Sequence, residues 1–462
     1  MVNGSGGIAE CRIRPPVFHI HEGSDMAWSC SSAAPPRRSP VRVLLTNRGF
    51  RLLIIGQSLS TLGDRALIIA FGIWVKELTG SNAAAGGAFF FVALPFLFAP
   101  FAGVLIDRFP RRQVFVVTNL AMACVMLLSL LVRGEGQVWL LYAIILCYGI
   151  AGVVITATQA ALVTAIVDED ALPDANGLLQ TSADGVKLLA PLFGAALFTV
   201  AGGQVVALLD AATFLAAAVC VWLIRAPGDQ RHVTGALELR EEVLSGLRHI
   251  YRSPQLRTLV GALGLAMLVT GFSQTLIFSI VDDGLHRAPA FVGVLSSVQG
   301  AGAVCAGLTA GAAIRRVGDL RTVMSGIALV TVASLVYLAP AILPVAVGAF
   351  LFGFGMCWTT VGLVMAVQRR TPDALRGRAL TASMGVVSTP QTVSIALGAA
   401  LSLVVDYRVL LILMAAVTAV CAIWLVRVPT GTEPQGPPRK DLGPTPRENE
   451  PPARSPGTKP VP

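Results

Sequence analysis

Twelve long apolar runs divide this chain, and short polar or basic segments separate one run from the next. A run of about twenty apolar residues can cross the hydrocarbon core of a bilayer as an α-helix, because each residue adds ~1.5 Å along the axis. The sequence therefore predicts an all-α polytopic membrane protein with twelve transmembrane helices. The predicted spans cover residues 50–75, 84–106, 112–132, 138–166, 178–200, 205–225, 258–280, 290–314, 320–339, 344–367, 378–405 and 408–427.

The composition excludes an ordinary soluble domain. Hydrophobic residues make up 54% of the chain and charged residues only 13%, whereas charged residues are about a quarter of a typical soluble domain. The net charge of +9 does not indicate a nucleic-acid partner, because the basic residues lie in short loops rather than in one patch. Most of the eight cysteines stand singly within apolar runs, which indicates packing residues and no disulfide framework.

Two similar basic loops indicate an internal duplication. The stretch Gly103–Arg112 ends an apolar run with an aspartate and three arginines, and Gly311–Arg321 repeats this pattern about two hundred residues later. A basic loop at corresponding places in two halves is typical of duplicated helical transporters. The sequence therefore predicts two six-helix bundles.

The distribution of basic residues predicts the orientation in the membrane. With both termini in the cytoplasm, the outer loops hold only Lys76, Arg133, Arg287 and Arg408, while the inner loops and tails hold most of the arginines. Cytoplasmic loops carry an excess of basic residues, so we expect a multi-pass protein of the cell membrane with cytoplasmic termini. The acidic inner loop 168–170 departs from this pattern, although acidic residues contribute little to orientation.

The polar segments predict the domain boundaries. Residues 1–47 and 428–462 are polar and rich in proline, which is typical of disordered cytoplasmic tails. The N-terminal bundle is expected at 48–225 and the C-terminal bundle at 258–427. Between them, residues 226–257 alternate apolar and charged residues at helical spacing, which predicts a linker with an amphipathic helix along the inner membrane surface.

Ionisable residues near the middle of the first span are candidates for a functional site, because charges inside a membrane are costly and mark pathways or partners. Gln57, Ser60 and Asp64 lie on one helical face, and Arg65 points about 100° away. Partial dehydration favours the neutral form of a carboxyl group, as a proton carrier at cellular pH requires. Two readings stay open: Asp64 carries protons beside a cavity that Arg65 also lines, or either residue is permanently paired with a neighbouring helix.

The fifth and sixth spans carry further charges. Gln180, Asp184 and Lys187 lie on one face of the fifth span, and Asp184 and Lys187 are close enough to neutralise each other. Asp184 is therefore either half of a structural ion pair or a second proton-coupling candidate. For Asp210, in the outer part of the sixth span, we favour a role in helix packing.

Single amides and phenylalanines within other spans are weaker candidates for the cavity wall. Interhelical hydrogen bonding is the alternative for each amide. The amides are Gln159, Gln274, Gln299 and Gln391, and the phenylalanines are Phe71, Phe89 and Phe91.

Motifs of other protein classes are missing from the sequence. It contains no Gly-x-x-x-x-Gly-Lys-Ser/Thr nucleotide loop, no His-Glu-x-x-His and no Cys-x-x-Cys. We therefore expect neither an enzyme nor a bound metal or cofactor. Without a module for ATP hydrolysis, uphill transport would depend on an ion gradient or a partner.

Several short motifs resemble those of the major facilitator superfamily, over nearly all of residues 48–427. The strongest is Gly103-x-Leu-x-Asp-Arg-x-x-Arg-Arg112, similar to the superfamily loop between spans two and three, with Pro110 at the usual second glycine. Three other motifs resemble the branch of macrolide-efflux and enterobactin-exporter families: 62–64 (Leu-Gly-Asp), 175–178 (Ala-Asn-Gly-Leu) and 376–378 (Arg-Gly-Arg).

The resemblance implies a cytoplasmic gate between the two halves. Asp107, Arg108 and Arg112 would latch the halves together when the carrier faces outward, and Arg376 and Arg378 would lie across the interface. A carboxylate near the N-terminus of a helix fits this role electrostatically. Gly103 and Arg111 complete the matched loop motif, and spans 1, 2, 4, 5, 7, 8, 10 and 11 would line the cavity.

The combined prediction is a monomeric secondary transporter that exports a small, partly apolar molecule in exchange for protons. A drug-like, macrolide-like or siderophore-like substrate fits the resemblance. Two alternatives stay open: a facilitator or importer of a small nutrient with the same fold, and a membrane scaffold or sensor that transports nothing.

Overall fold

The computed structural model describes residues 47–99, 109–167, 171–224, 236–372 and 375–427, and these residues are helical with short connections and without strands. Within those ranges, ten helices are long and apolar enough to cross a membrane. One of them, over 174–222, holds two successive spans, and the shorter apolar helix over 82–98 begins another. The prediction of an all-α protein with about twelve membrane helices is confirmed.

The helix bounds follow the predicted spans closely. The predicted tails lie outside the described residues, apart from Asn47, whose side chain caps the first helix by accepting from the Phe50 amide at 3.0 Å. The helices cover Arg48–Thr79, Asn82–Ala93 with Leu94–Phe98, Arg111–Leu127 with Leu128–Leu131, Val138–Ile166, Leu172–Trp222, Ala236–Arg252, Pro254–Thr270, Phe272–Ser279 with Ile280–Gly284, Phe291–Val317, Asp319–Val336, Ile342–Arg370, Arg376–Leu401 and Tyr407–Val426.

Glycines with positive φ allow two very short connections. Gly202, at φ 79°, is the non-helical residue between spans five and six, where the sequence predicts a separation of several residues. Gly318, at φ 88°, separates spans eight and nine. Because residues with a Cβ rarely adopt this conformation, single glycines reverse the chain at these points.

Small residues let the first span approach the sixth closely. Gly49, Gly56 and Gly63 recur every seven residues and therefore lie on one face. A Cβ on Gly56 would lie 2.9 Å from the Cβ of Cys220, and Gly49 and Gly63 also face side chains of the sixth span. Close packing of this kind is a main source of stability between helices in a membrane, where lipid tails are as apolar as the side chains.

The spans alternate between two ends of the molecule. We call the end that holds Arg48, Arg111, Arg315 and Arg370 the basic end, and the opposite end, with the connections near Gly80, Gly134, Gly202 and Gly284, the far end. The basic end is the one for which the sequence predicts a cytoplasmic location.

A buried ion pair fastens the basic end of the C-terminal half. Two guanidinium nitrogens of Arg370, in the tenth span, donate to Asp319 of the ninth at 2.6 and 3.1 Å. A third donates to Gln255 of the seventh at 3.1 Å. The two charged side chains are only 18% and 8% exposed.

A helix covers Ala236–Arg252, within the segment for which the sequence predicts a linker. It packs on the start of the eleventh span, where Gly246 meets the backbone of Arg378 so closely that a Cβ would collide. Ile250 is buried in the same contact region. A location along the inner membrane surface stays a prediction.

We expect Arg370→Met to destabilise the protein by about 3 kcal/mol, because it leaves Asp319 buried without its cation. Arg369→Met is the matched control, since Arg369 is the exposed neighbour, and it should change stability by less than ~0.5 kcal/mol. Thermal unfolding of the purified protein in detergent measures both. Equal stability of the two variants would contradict a structural role for the ion pair.

Candidate functional site

The middle of the first span holds a half-buried carboxyl group with polar neighbours. The Ser60 hydroxyl donates to Asp64 at 3.5 Å, and Tyr148 of the fourth span lies beside the same carboxylate. The side-chain oxygen of Gln57 is buried one helical heptad away and has no hydrogen-bond partner among the described residues. These groups form a polar face between spans one and four.

A second carboxyl group lies on the opposite side of Gly63. Asp210 of the sixth span is fully buried, and its Oδ1 accepts from the Thr213 hydroxyl at 3.0 Å. A Cβ on Gly63 would collide with this carboxyl group. Its other oxygen has no partner among the described residues, and its charge interacts with that of Asp64.

The two carboxyl groups together can hold a proton. Two negative charges removed from water repel each other, and an ionised carboxylate without a full set of donors is costly to bury. Protonation of either carboxyl group relieves this cost. From the sequence we favoured a role in helix packing for Asp210. Packing does not require a second carboxyl group nearby, so the environment of Asp210 goes beyond that role.

Arg65 faces away from the carboxyl pair, toward the other half of the molecule. It lies seven residues before Gly72 and eleven before Lys76, so the three share one face of the helix. Gly72 packs against Phe278 of the seventh span, and Lys76 pairs with Asp282. Arg65 is exposed although it lies in mid-span. The contact between the first and seventh spans along this face therefore ends between Gly72 and Arg65.

The far end of the same face forms a polar contact between the halves. Lys76 donates to Asp282 at 2.5 Å and to the Gly80 carbonyl at 2.8 Å. The Asn82 amide donates to Asp282 at 3.3 Å and to Asp283 at 3.1 Å. Both aspartates belong to a single π-helical turn, Ile280–Gly284, which presents neighbouring carboxylates to the opposite half.

An apolar layer lies beneath this polar contact. The rings of Phe89 and Phe278 are 6.0 Å apart, and Gly86 of the second span packs on Thr275 of the seventh. Spans five and eight also touch, where the Ser297 hydroxyl lies 3.1 Å from the Leu192 amide. These contacts between the halves lie toward the far end.

The remaining cavity candidates occupy varied positions. Gln274 is half-buried and lies one turn before Phe278 on the same face of the seventh span. Phe71 is fully buried and its ring packs 6.2 Å from Tyr148, so it contributes to the core of the N-terminal half. Phe91 packs on Tyr142 with ring centroids 5.0 Å apart. Gln159, Gln299 and Gln391 are half-buried and Gln180 is exposed.

The predicted cytoplasmic gate is described only in part. Gly103, Asp107 and Arg108 lie outside the described residues, as do the side chains of Asp184 and Lys187 within the fifth span. Arg112 donates to the carbonyls of Val221 and Trp222 at the end of the sixth span. Arg111 starts the third span and Arg376 and Arg378 start the eleventh, so their role in the gate stays a prediction.

Tyr148 is a site residue that sequence analysis missed. It lies in the interior of the fourth span, whereas tyrosines of membrane proteins concentrate at the two interfaces. A hydroxyl at this depth needs a polar partner, and that need could have indicated a site.

A model of a known protein family covers most of the chain. The family model described as Major Facilitator Superfamily matches residues 53–282 and 263–460. An uncharacterised MFS-type transporter of Mycobacterium tuberculosis (strain ATCC 25618 / H37Rv) is 26% identical over 340 residues, covering 69% of this chain and 76% of that protein. A counterpart from Mycobacterium bovis (strain ATCC BAA-935 / AF2122/97) matches equally well.

Solved structures share the fold at low sequence identity. A nucleoside transporter aligns with a TM-score of 0.65 at 12% identity, covering 82% of this chain and 98% of its own. A bacterial homologue of the iron transporter ferroportin in an inward-facing state gives 0.62 at 17% identity, with 82% and 98% covered. These proteins differ in what they carry, so the likeness concerns the fold.

We expect Gly63→Ala to destabilise the protein by about 1–3 kcal/mol, because the new methyl group displaces Asp210 from a closely packed contact. Gly185→Ala in the fifth span is the matched control, since its Cβ would meet open space, and it should be neutral or slightly stabilising. Thermal unfolding in detergent compares them. Wild-type stability of Gly63→Ala would show that this contact is loose.

Proposed function

We propose, on the premise that this chain belongs to the major facilitator superfamily, that it exports a small, partly apolar molecule in exchange for protons. Membership makes the protein a multi-pass membrane transporter rather than an enzyme. Coupling to protons, the outward direction and the kind of substrate are our proposals. Drug-like, macrolide-like and siderophore-like molecules are the classes we propose to test first.

The observation that carries the proposal is the carboxyl pair on either side of Gly63. Asp64 is half-buried and Asp210 is fully buried, with Tyr148 beside them. Arg65, the next residue along the chain, faces the other half. A proton on the carboxyl pair and a substrate between the halves would therefore both contact the same turn of the first span. Asp184 stays a second proton-coupling candidate on the fifth span.

Alternating access explains the arrangement of contacts along the first span. The far end is held by Lys76, Asn82, Asp282 and Asp283, while Arg65 on the same face is exposed. We propose that the far end faces outward and opens when the ion pair breaks. Asp107, Arg108 and Arg112 would then latch the basic end near Arg376 and Arg378, so that only one end is open at a time.

The efflux-like motifs support the outward direction. The Leu-Gly-Asp motif over 62–64 contributes both Gly63 and Asp64 to the site, so a motif of the proposed export branch supplies the residues that we assign to coupling. Because one chain supplies both halves, we propose a monomer in the plasma membrane with cytoplasmic termini. A nutrient importer with the same fold is the alternative that the experiments below distinguish.

We expect Asp64→Asn and Asp210→Asn to lower proton-driven transport by at least about tenfold, because an amide cannot take up a proton as a carboxylate does. Transport is measured as accumulation of fluorescein and rhodamine 6G in inside-out membrane vesicles with an acidified interior. An exporter accumulates its probe in vesicles of this orientation, whereas a facilitator only equilibrates it.

Asp406→Asn is the matched control for these variants. Its carboxylate caps the far end of span twelve by accepting from the Arg408 amide at 2.7 Å, away from the carboxyl pair. Asp184→Asn tests the second candidate in parallel. Unchanged proton-driven accumulation in both Asp64→Asn and Asp210→Asn would contradict coupling through the pair.

We expect Lys76→Met to shift the population toward a far-end-open state by about fivefold, because a half-buried ion pair between the halves is lost. Spin labels at the exposed positions 77 and 287, in a variant without native cysteines, report the distance across the far end by electron–electron resonance. The charge reversal Lys76→Asp with Asp282→Lys should restore the short distance. Arg133→Met, exposed at the same end, should leave the distances as in the wild type.

A further inference from the structure

We infer that the substrate carries an anionic group, a carboxylate or another oxyanion, and that Arg65 binds it in the middle of the membrane. This inference rests on the proposed transport function and adds the chemical class of the substrate. It is carried by the position of Arg65 on the face between the halves, by the absence of an ion-pair partner among the described residues, and by the groups opposite and above it.

A guanidinium group in the middle of a span needs water, a ligand or a counter-ion. Charged side chains at this depth face a bundle interior or a water-filled cavity because lipid solvates them poorly. Around the helix, the face of Arg65 is the one that carries Gly72 and Lys76 against the seventh span. Its exposed surface therefore lies between the halves, about 10 Å nearer the basic end than Gly72.

The charges of Asp64 and Arg65 interact, but the two side chains form no ion pair. Within the described part of the chain the structure gives it no ion pair. The adjacent residue, Asp64, points about 100° around the helix, where its carboxylate accepts from Ser60. Helical spacing places Arg65 on the face toward the other half, so its guanidinium group can reach the space between the halves.

The residues opposite and above Arg65 indicate what fits beside its guanidinium group. Gln274 of the seventh span lies one turn below Phe278 on the face that meets the first span, and its half-buried amide can donate to an oxyanion. Phe278 and Phe89 close the space toward the far end with apolar surface. A molecule with an apolar body and one acidic group fits this space, because the cationic Arg65 lies below the aromatic rings of Phe278 and Phe89.

Export of such a molecule also agrees with the membrane potential. An inside-negative potential drives an anion outward and a proton inward. A carrier that exchanges the two moves charge in the favourable direction with both ions. The membrane potential would therefore drive both the export of an anionic substrate and the inward flow of protons.

Binding of matched naphthalene probes tests the inference without any gradient. Isothermal titration calorimetry of the purified full chain in a non-ionic detergent compares 2-naphthoate with 2-naphthamide, its neutral isostere. We expect the wild type to bind the carboxylate at least about tenfold more tightly, because a guanidinium pairs with it through charge-assisted bonds. Arg65→Gln should remove this preference, and Arg65→Lys should retain part of it.

Arg427→Gln is the control for non-specific attraction, because Arg427 is an exposed arginine at the end of the twelfth span; it should keep the wild-type preference. Equal affinity of the wild type for both probes, or a preference retained in Arg65→Gln, would overturn the inference. The proton-coupled function would survive that outcome, since it depends on gradient-driven transport in the Asp64 and Asp210 variants. Loss of gradient dependence with an intact carboxylate preference would overturn the transport proposal alone.

Discussion

The cost of holding charge away from water shapes this molecule more than any other constraint. Lipid neither solvates an ion nor completes its hydrogen bonds, so each charge within a span must find a partner, water or a proton. Asp319 and Arg370 satisfy this requirement by forming a bidentate pair within one half. Asp64 and Asp210 satisfy it differently, because each accepts a hydrogen bond from a hydroxyl group, and Arg65 offsets part of the charge of Asp64.

The pairs Arg370–Asp319 and Lys76–Asp282 illustrate how location decides the role of similar chemistry. Arg370 and Asp319 join spans of one half and are almost sealed from solvent, so they can persist while the halves move. Lys76 and Asp282 join different halves, and Asp282 is 42% exposed on its side chain. Water can replace the lost contact when the far end separates, which keeps the cost of opening small.

Sequence analysis could predict the fold because its signal is long and repeated. Twelve apolar runs and two basic loops do not depend on which side chains meet, and the helices match them closely. The polar face of Gln57, Ser60 and Asp64 was also predictable, since it follows from helical spacing alone. Asp210 could not be placed beside Asp64, because that contact depends on the sixth span packing against Gly63, a relation between distant segments.

The contact between the halves at the far end was equally hidden from sequence. Lys76 and Asp282 are separated by 206 positions, and each lies near the end of a span, where charged residues are common. The π-helical turn that presents Asp282 and Asp283 together has no clear signature in the local residues. Only the packing of the first span on the seventh identifies Lys76 as part of an interface.

The single-residue connection at Gly202 has a mechanical consequence. The fifth span contacts the other half where Ala195 meets Gly293, and the sixth span carries Asp210. With only one non-helical residue between them, the two helices form a stiff hairpin whose arms cannot shift independently along their axes. If the halves slide past each other at Ala195, this hairpin would therefore transmit the displacement from the interface to Asp210.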